Sequence, residues 1–148
     1  MATGKRNDPY GAFNFVVDLG YGDAVAGFSE CSGLDSETDV IEYRNGDEKA
    51  PHTKRKLPGL HKFTNITLKR GFTNSRELWE WRKTVLDGKT ERKSGSVTLR
   101  NEAGEVALVY NFSEGWPSKW QGPALNAHNS EVAIETLEIA CESIELKS

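Results

Sequence analysis

The sequence predicts a single α+β domain that consists mainly of antiparallel sheet and carries one helix. Three observations support this fold class. Residues 130–146 have the character of one very long strand, several shorter segments alternate between apolar and polar residues, and one segment, 75–86, has helical periodicity. A chain of 148 residues can form one domain with a real hydrophobic core. We expect residues 1–9 to be a flexible N-terminal segment and residues 10–148 to form the domain.

The first third of the chain predicts three strands. Residues 10–19 alternate, with Phe13 and Phe15 on one parity, and the glycine-rich residues 20–23 supply a turn. Residues 24–34 and 38–44 predict the next two strands. Asn45 and Gly46 then form a strong turn signal.

Residues 46–62 predict a long basic loop, because Pro51, Pro58 and Gly59 interrupt the alternation. Such a loop in a compact domain is usually functional or disordered. Three interpretations stay open: a phosphate or polyanion site, a mobile solvated loop, or pairing with acidic patches on another copy. The cations in this loop are Lys49, Lys54, Arg55, Lys56 and Lys62.

Residues 65–72 predict a strand, and a helix follows it. Asn74 or Ser75 can cap the helix, and Asn74 with Glu77 has capping-box spacing. Gly88 is placed to end it. One of Trp79 and Trp81 is expected in the core and the other nearer the rim. The apolar stripe consists of Leu78, Trp81 and Val85, widened by Trp79 and Leu86.

Beyond the helix, residues 95–100 and 105–112 predict a hairpin around residues 101–104, and residues 113–122 predict an irregular connection.

In the final strand, residues 130–146, the apolar residues change twice between odd-numbered and even-numbered positions. Breaks are therefore expected near residues 135–136 and 142–143, each as a bulge or a change of buried side. A strand of this length, about 55 Å, must bend, overhang or lie against a neighbour. It either curls round a monomer or contributes to an assembly. The residues expected to need water are Glu135, Glu138, Glu142 and Glu145.

Composition narrows the function classes. The net charge of −3 argues against a dedicated nucleic-acid binder, which is usually strongly basic. The N-terminus lacks a signal-like apolar core, and no apolar run approaches the length of a spanning helix, so synthesis in the cytoplasm without a membrane anchor is expected. Cys31 and Cys141 are expected to be buried free thiols.

The sequence contains no recognisable catalytic or metal-binding motif. His52, His61 and His128 lack metal-ligand spacing, and Gly20, Gly22 and Gly27 do not have the spacing of a nucleotide loop. The sequence supports no enzyme, and no catalytic residue, metal or cofactor is expected. Four tryptophans in so small a domain favour assembly, because aromatic residues are enriched at interfaces.

Several segments together resemble a known family. They are FNFVVDL, FSECSGLDSETDVIEYRNG, PGLHKFTNITLKRGF leading into ELWEWR, and VAIETLEIACESIEL. In this order, over residues 10–146, the chain resembles the inner-tube proteins of contractile phage tails and related contractile injection systems. The resemblance implies an antiparallel β-sandwich or barrel with one helix. It also implies hexameric rings that stack into a hollow tube, which conducts DNA or effector cargo and is driven by a contracting sheath.

The resemblance also implies roles for particular residues. Glu138, Ala140 and Glu142 would face the lumen as an acidic bore. Lys49, Lys54, Arg55 and Lys56 would contact carboxylates of the adjacent ring. The helix would face the sheath with Arg76, Arg82 and Lys83. Expected partners are further copies of the chain, the sheath, baseplate and terminator proteins, and the cargo, in a phage tail or tail-like particle.

The alternatives stay open at this stage. Within the family, the chain could be a baseplate-proximal tube initiator, and it could serve a phage or an injection particle. Outside the family, a monomeric ligand-binding β-barrel has a similar strand count and predicts a closed apolar pocket. A hydrolase would require a clustered nucleophile and base.

Overall fold

The computed structural model describes residues 8–20, 27–44, 54–128 and 130–147. Within these residues one helix accompanies a series of strands that pair antiparallel throughout, which confirms the mainly β fold class. The elements are β1 (Phe15–Asp18), β2 (Glu30–Ser32), β3 (Ser36–Tyr43), β4 (Arg55–Phe63), β5 (Ile66–Gly71), α1 (Glu77–Leu86), β6 (Lys93–Arg100), β7 (Val106–Gln121), β8 (Ile134–Ala140) and β9 (Ser143–Lys147).

Two sheets that share β7 form the body. Sheet A has the order β1-β6-β7-β9 and uses the first half of β7. Sheet B has the order β7-β8-β5-β2 and uses the second half. Apolar side chains of both sheets and of α1 form one core, which makes the body a sandwich. The core consists of Val17, Leu19, Phe28, Ile66, Leu68, Leu78, Trp81, Val97, Phe112, Leu137 and Ile139.

Strand β7 is longer than predicted, and the prediction of an irregular connection at residues 113–122 was wrong. Glu114 has a φ of 52°, and the register shifts between Pro117 and Lys119. These features bend the strand at the junction of the two sheets instead of ending it, as bulges do. Pro117, which has no N–H to donate, sits at this irregular point and is fully buried.

The C-terminal run lies against β7, one of the predicted outcomes. The predicted break near residues 142–143 is confirmed, because β8 ends at Ala140 and β9 begins at Ser143. The predicted break near residues 135–136 is wrong, since β8 is continuous there with Leu137 and Ile139 on its buried side. Glu135 was expected in water but is 2% exposed.

A separate two-stranded sheet, β3 with β4, stands apart from the body. The predicted strand at residues 38–44 is confirmed. The predicted loop 46–62 is wrong over residues 55–62, which form β4. Pro58 and Gly59 are accommodated opposite a register shift between Thr38 and Val40. The turn predicted at Asn45–Gly46 lies outside the described residues.

The first strands are shorter than predicted. Strand β1 covers only Phe15–Asp18 of the predicted residues 10–19, and β2 covers only Glu30–Ser32 of residues 24–34. Phe13 is exposed and does not belong to the strand. The turn predicted at residues 20–23 lies largely outside the described residues, as do residues 1–7 of the predicted flexible segment.

Helix α1 is confirmed, with two corrections. Leu78 and Trp81 are buried and Trp79 is 40% exposed, as the stripe predicted, but Leu86 is exposed. No side-chain cap hydrogen bond forms, so the predicted capping box is wrong. Glu77 instead accepts a hydrogen bond from Arg70. Gly88, with a φ of 75°, follows the last turn as predicted.

Candidate functional site

The outer face of sheet B is mainly polar, with Ile134 and Ala140 as the apolar residues that β8 places on it. Residues alternate along each strand, so one parity of β8 is buried and the other, which carries Thr136, Glu138 and Ala140, faces outward. The register places matching outward residues on the neighbouring strands. These residues are Glu30 and Ser32 of β2, Thr67 and Lys69 of β5, and Trp116, Lys119 and Gln121 of β7.

The charges on this outer face are balanced. Lys69 lies opposite Glu30 in the register, with 3.7 Å between its Nζ and a carboxylate oxygen. Lys119 lies opposite Glu138 on the adjacent strand. Glu138 also accepts a hydrogen bond of 2.9 Å from the amide of Asn65. The described residues of this face therefore include two cations and two carboxylates, whereas the C-terminal run alone predicted an acidic surface.

The inner face of sheet B contains a buried ionic network. Arg70 Nε donates to Glu135 Oε1, and the two side chains are 8% and 2% exposed. Arg70 also donates to Glu77 of α1 over 3.3 Å and lies 5.7 Å from the ring centroid of Phe28. Trp120 Nε1 donates to Glu135 over 3.2 Å. The alternation along β5 could have predicted that Arg70 is buried, because Arg70 lies on the same side of the strand as Ile66 and Leu68.

Helix α1 covers this inner face. Trp79 packs on Trp120 of β7 with ring centroids 5.0 Å apart, and Phe72 approaches Trp120 at 6.3 Å. Leu78 and Trp81 enter the core that the inner residues of β5 and β8 line. The helix and Glu138 therefore lie on opposite sides of the same sheet.

The three helix cations predicted to face outward differ in their surroundings. Arg76 and Lys83 are exposed. Arg82 is half-buried, and its Nη1 donates to the carbonyl of Pro117 over 3.1 Å, so it attaches the helix to β7.

The β3–β4 hairpin is exposed along most of its length. Large apolar side chains on it contact water, with Leu60 75% exposed and Val40 62% exposed. Lys54 pairs with Glu42 over 3.2 Å, and Lys56 lies opposite Glu42 in the register. Lys62 pairs with Asp39, and this hydrogen bond raises the pKa of Lys62. Lys49 lies outside the described residues.

Hydrogen bonds and a close backbone contact fix the base of the β3–β4 hairpin. Thr64 Oγ1 donates to the carbonyl of Gly33 over 2.6 Å and accepts from the N–H of Asp35. Gly33 has a φ of +86°, and a Cβ there would overlap the carbonyl oxygen of Asn65. Only glycine fits this close backbone approach, which fixes where the hairpin leaves the body.

The comparisons decide the family. The family model described as T4-like virus tail tube protein gp19 matches residues 11–145. The chain belongs to this tail tube family. No curated protein sequence matches the chain.

Solved structures agree with membership of the tail tube family. The chain is 28% identical to a protein of an extracellular contractile injection system, in the "PVC sheath-tube complex in extended state", with a TM-score of 0.83 over 96% of this chain and 93% of that one. It is 29% identical to a chain from the anti-feeding prophage cap, described as "AFP tube terminating cap", with a TM-score of 0.86 over 99% and 96%. Hcp1 from Salmonella typhimurium shares the fold at 13% identity, with a TM-score of 0.52 over 90% and 84%.

The metal-ligating residue types and the two thiols in the described part of this tail tube protein bear only on local chemistry. In residues 8–20, 27–44, 54–128 and 130–147, no three His, Cys, Asp or Glu side chains come together as metal ligands. Burial raises the pKa of the Cys31 thiol to about 11 and also raises that of Cys141, which disfavours the reactive thiolates. No helix in the described ranges is long and apolar enough to cross a membrane.

Proposed function

We propose that this tail tube protein forms hexameric rings in which sheet B lines the bore and α1 lies on the outside. One observation carries the proposal: sheet B is mainly polar on its outer face, whereas α1 covers its other face. A water-filled channel requires a hydrated wall. Glu138 and Ala140 of the predicted lumen set lie on that face, and Glu142 lies just beyond β8, where it pairs with Arg92 at 3.8 Å.

The edges of sheet B support lateral association. Strand β2 ends the sheet on one side, and the second half of β7 ends it on the other. An unpaired edge presents free N–H and C=O groups, which invite pairing with another chain. A head-to-tail contact between these two unlike edges, repeated with a closing rotation, produces a ring.

The exposed hairpin supports stacking of the rings. An isolated two-stranded hairpin is marginally stable in water, and this one exposes Leu60 and Val40. Packing against an adjacent ring would bury these side chains. Lys49, Lys54, Arg55 and Lys56 would then meet carboxylates of that ring, in addition to the pairing of Lys54 with Glu42.

The proposed partners follow from this arrangement. Solved relatives come from sheath–tube, terminating-cap and baseplate assemblies. We place a sheath protein outside α1, next to Arg76 and Lys83, and baseplate and terminator proteins at the two ends of the tube. The protein acts as a structural conduit for effector proteins or phage DNA and not as an enzyme. It is synthesised and assembled in the cytoplasm and ends in a phage tail or tail-like particle.

Site-directed thiol labelling tests the orientation of the wall. In a background with Cys31→Ala and Cys141→Ala, Glu138→Cys is compared with the matched variant Glu80→Cys on the exposed side of α1. In assembled tubes, a bulky polymer-linked maleimide should label position 80 and not position 138, whereas dissociated subunits should react at both. Equal labelling of position 138 in tubes and in subunits would show that sheet B does not line the bore.

A further inference from the structure

We infer that the outer face of sheet B is a charge-balanced wall that admits polypeptide cargo of either net charge, and that Lys69 and Lys119 keep it balanced. This inference rests on the proposed position of sheet B at the bore. It replaces the acidic, repelling bore that the C-terminal run alone predicted.

The balance is built from cross-strand pairs. Lys69 and Glu30 face each other between β5 and β2, and Lys119 and Glu138 face each other between β7 and β8. Directly opposite side chains of antiparallel strands lie close enough to interact. Each carboxylate therefore has an ammonium group on the next strand, and the uncharged residues between the pairs are Ser32, Thr67, Thr136 and Gln121.

The closeness of opposite charges has an electrostatic consequence. The fields of two opposite charges on neighbouring strands largely cancel at distances several times their separation, and salt screens what remains beyond about 8–10 Å. An unbalanced wall behaves differently, because a channel lined by one sign of charge focuses its field and concentrates counter-ions. The repeated copies in a ring would multiply any imbalance that one subunit carries.

The preferred cargo follows from this surface. A polypeptide carries both signs of charge along its length, so a wall of one sign would bind some segments and repel others. Balanced pairs separated by hydroxyl and amide groups offer no strong site for either sign. The wall therefore allows polypeptides to pass. It favours neither acidic nor basic polypeptides. It also provides no excess of cations with which to hold a nucleic acid.

Two charge-reversal variants test the inference. Lys69→Glu with Lys119→Glu leaves four carboxylates on the described face, and Glu30→Lys with Glu138→Lys leaves four cations. Arg76→Glu with Lys83→Glu on α1, in tubes assembled without sheath protein, is the matched control for the four-carboxylate variant, with the same charge change on the opposite side of sheet B. The probes are fluorescent unstructured peptides of equal length, one rich in Lys and Ser and one rich in Glu and Ser, together with a single-stranded oligothymidylate. Retention is measured in tubes whose assembly is verified by electron microscopy.

The parent tubes should retain the two peptides equally, within about threefold, and should not retain the oligothymidylate. The four-carboxylate variant should retain the basic peptide at least about tenfold longer than the parent does, and the four-cation variant should retain the acidic peptide and the oligothymidylate. The α1 control should match the parent. Parent tubes that discriminate about tenfold between the peptides, or that retain the oligothymidylate, would overturn the inference.

The labelling of Glu138→Cys separates the two possible failures. If position 138 is protected in tubes and the reversal variants still behave like the parent, the bore assignment stands and the role given to Lys69 and Lys119 is wrong. If position 138 is labelled in tubes as readily as in subunits, the proposed function itself fails and the charge inference falls with it.

Discussion

Arg70 Nε donates a hydrogen bond to Glu135 Oε1 between two adjacent central strands, and both side chains are almost fully buried. Ion pairs in such positions are costly to desolvate, so each partner depends on the other. Here Glu77 and the indole N–H of Trp120 complete the network and connect it to α1 and β7. The pair therefore joins the wall of sheet B to the helix behind it.

Removing one partner should destabilise the protein strongly. Arg70→Met leaves Glu135 as a buried charge without its cation, and we expect a loss of about 3–5 kcal/mol in the free energy of unfolding, measured by urea denaturation. The double variant Arg70→Met with Glu135→Leu should recover most of this loss. Lys54→Met, which removes the exposed pair with Glu42, is the control and should change stability by less than about 1 kcal/mol. A single variant as stable as the parent would show that the pair contributes nothing.

A side chain at Gly33 should destabilise the protein more than a side chain at Gly104, which has a similar backbone conformation. Gly33 and Gly104 both have a positive φ, +86° and +80°, but only at Gly33 would a Cβ overlap the backbone, at Asn65. Gly104→Ala should cost about 1–2 kcal/mol for the left-handed conformation alone. Gly33→Ala should cost a further ~1–3 kcal/mol from overpacking. Equal losses in thermal denaturation would contradict the close approach at the hairpin base.

The Cys31 thiol should be unreactive in the folded protein. Burial raises its pKa from the ordinary value of 9.0 to about 11. The folded state therefore holds this proton to higher pH than the unfolded state does, and the contribution of the thiol to stability is lost as pH rises from about 9 to about 11. Iodoacetamide should alkylate Cys31 slowly at pH 8 unless urea is present. In Cys31→Ala the alkaline loss of stability should be smaller, and an identical pH profile would contradict this assignment.

Reversing the hairpin cations should separate ring formation from stacking. The variant Lys54→Glu with Arg55→Glu and Lys56→Glu changes the first residues of β4 and its approach, which lie away from the edges of sheet B. We expect rings of parental size but fewer and shorter tubes in negative-stain images. Arg76→Glu with Lys83→Glu and Lys89→Glu, an equal charge change on and just after α1, should stack like the parent. Normal stacking by the hairpin variant would refute the inter-ring role.

The sequence pattern of a single segment predicted its structure correctly where one side of the segment is buried along its whole length. Alternation predicted the strand at residues 65–72, and helical spacing predicted the stripe that buries Leu78 and Trp81. Both predictions depend only on side-chain periodicity along one element.

The incorrect predictions concern residues whose burial or backbone pairing depends on partners that are distant in sequence. Glu135 is buried because Arg70 and Trp120 lie beside it, and no local pattern reveals a partner 65 residues away. Pro58 was interpreted as a strand breaker, and Pro117 lies in the segment predicted to be irregular, yet both fit at register shifts in long strands. The cations Lys69 and Lys119 on the outer face of sheet B were missed for the same reason, because they come from other strands.

Electron cryomicroscopy of tubes assembled from the purified protein would show directly whether sheet B lines the bore of a hexameric ring. The density should show rings of six copies, with Glu138 and Lys119 of each copy at the bore and α1 on the outer surface. A tube with α1 at the bore and the polar face of sheet B outside would contradict the account, as would a protein that stays monomeric at high concentration.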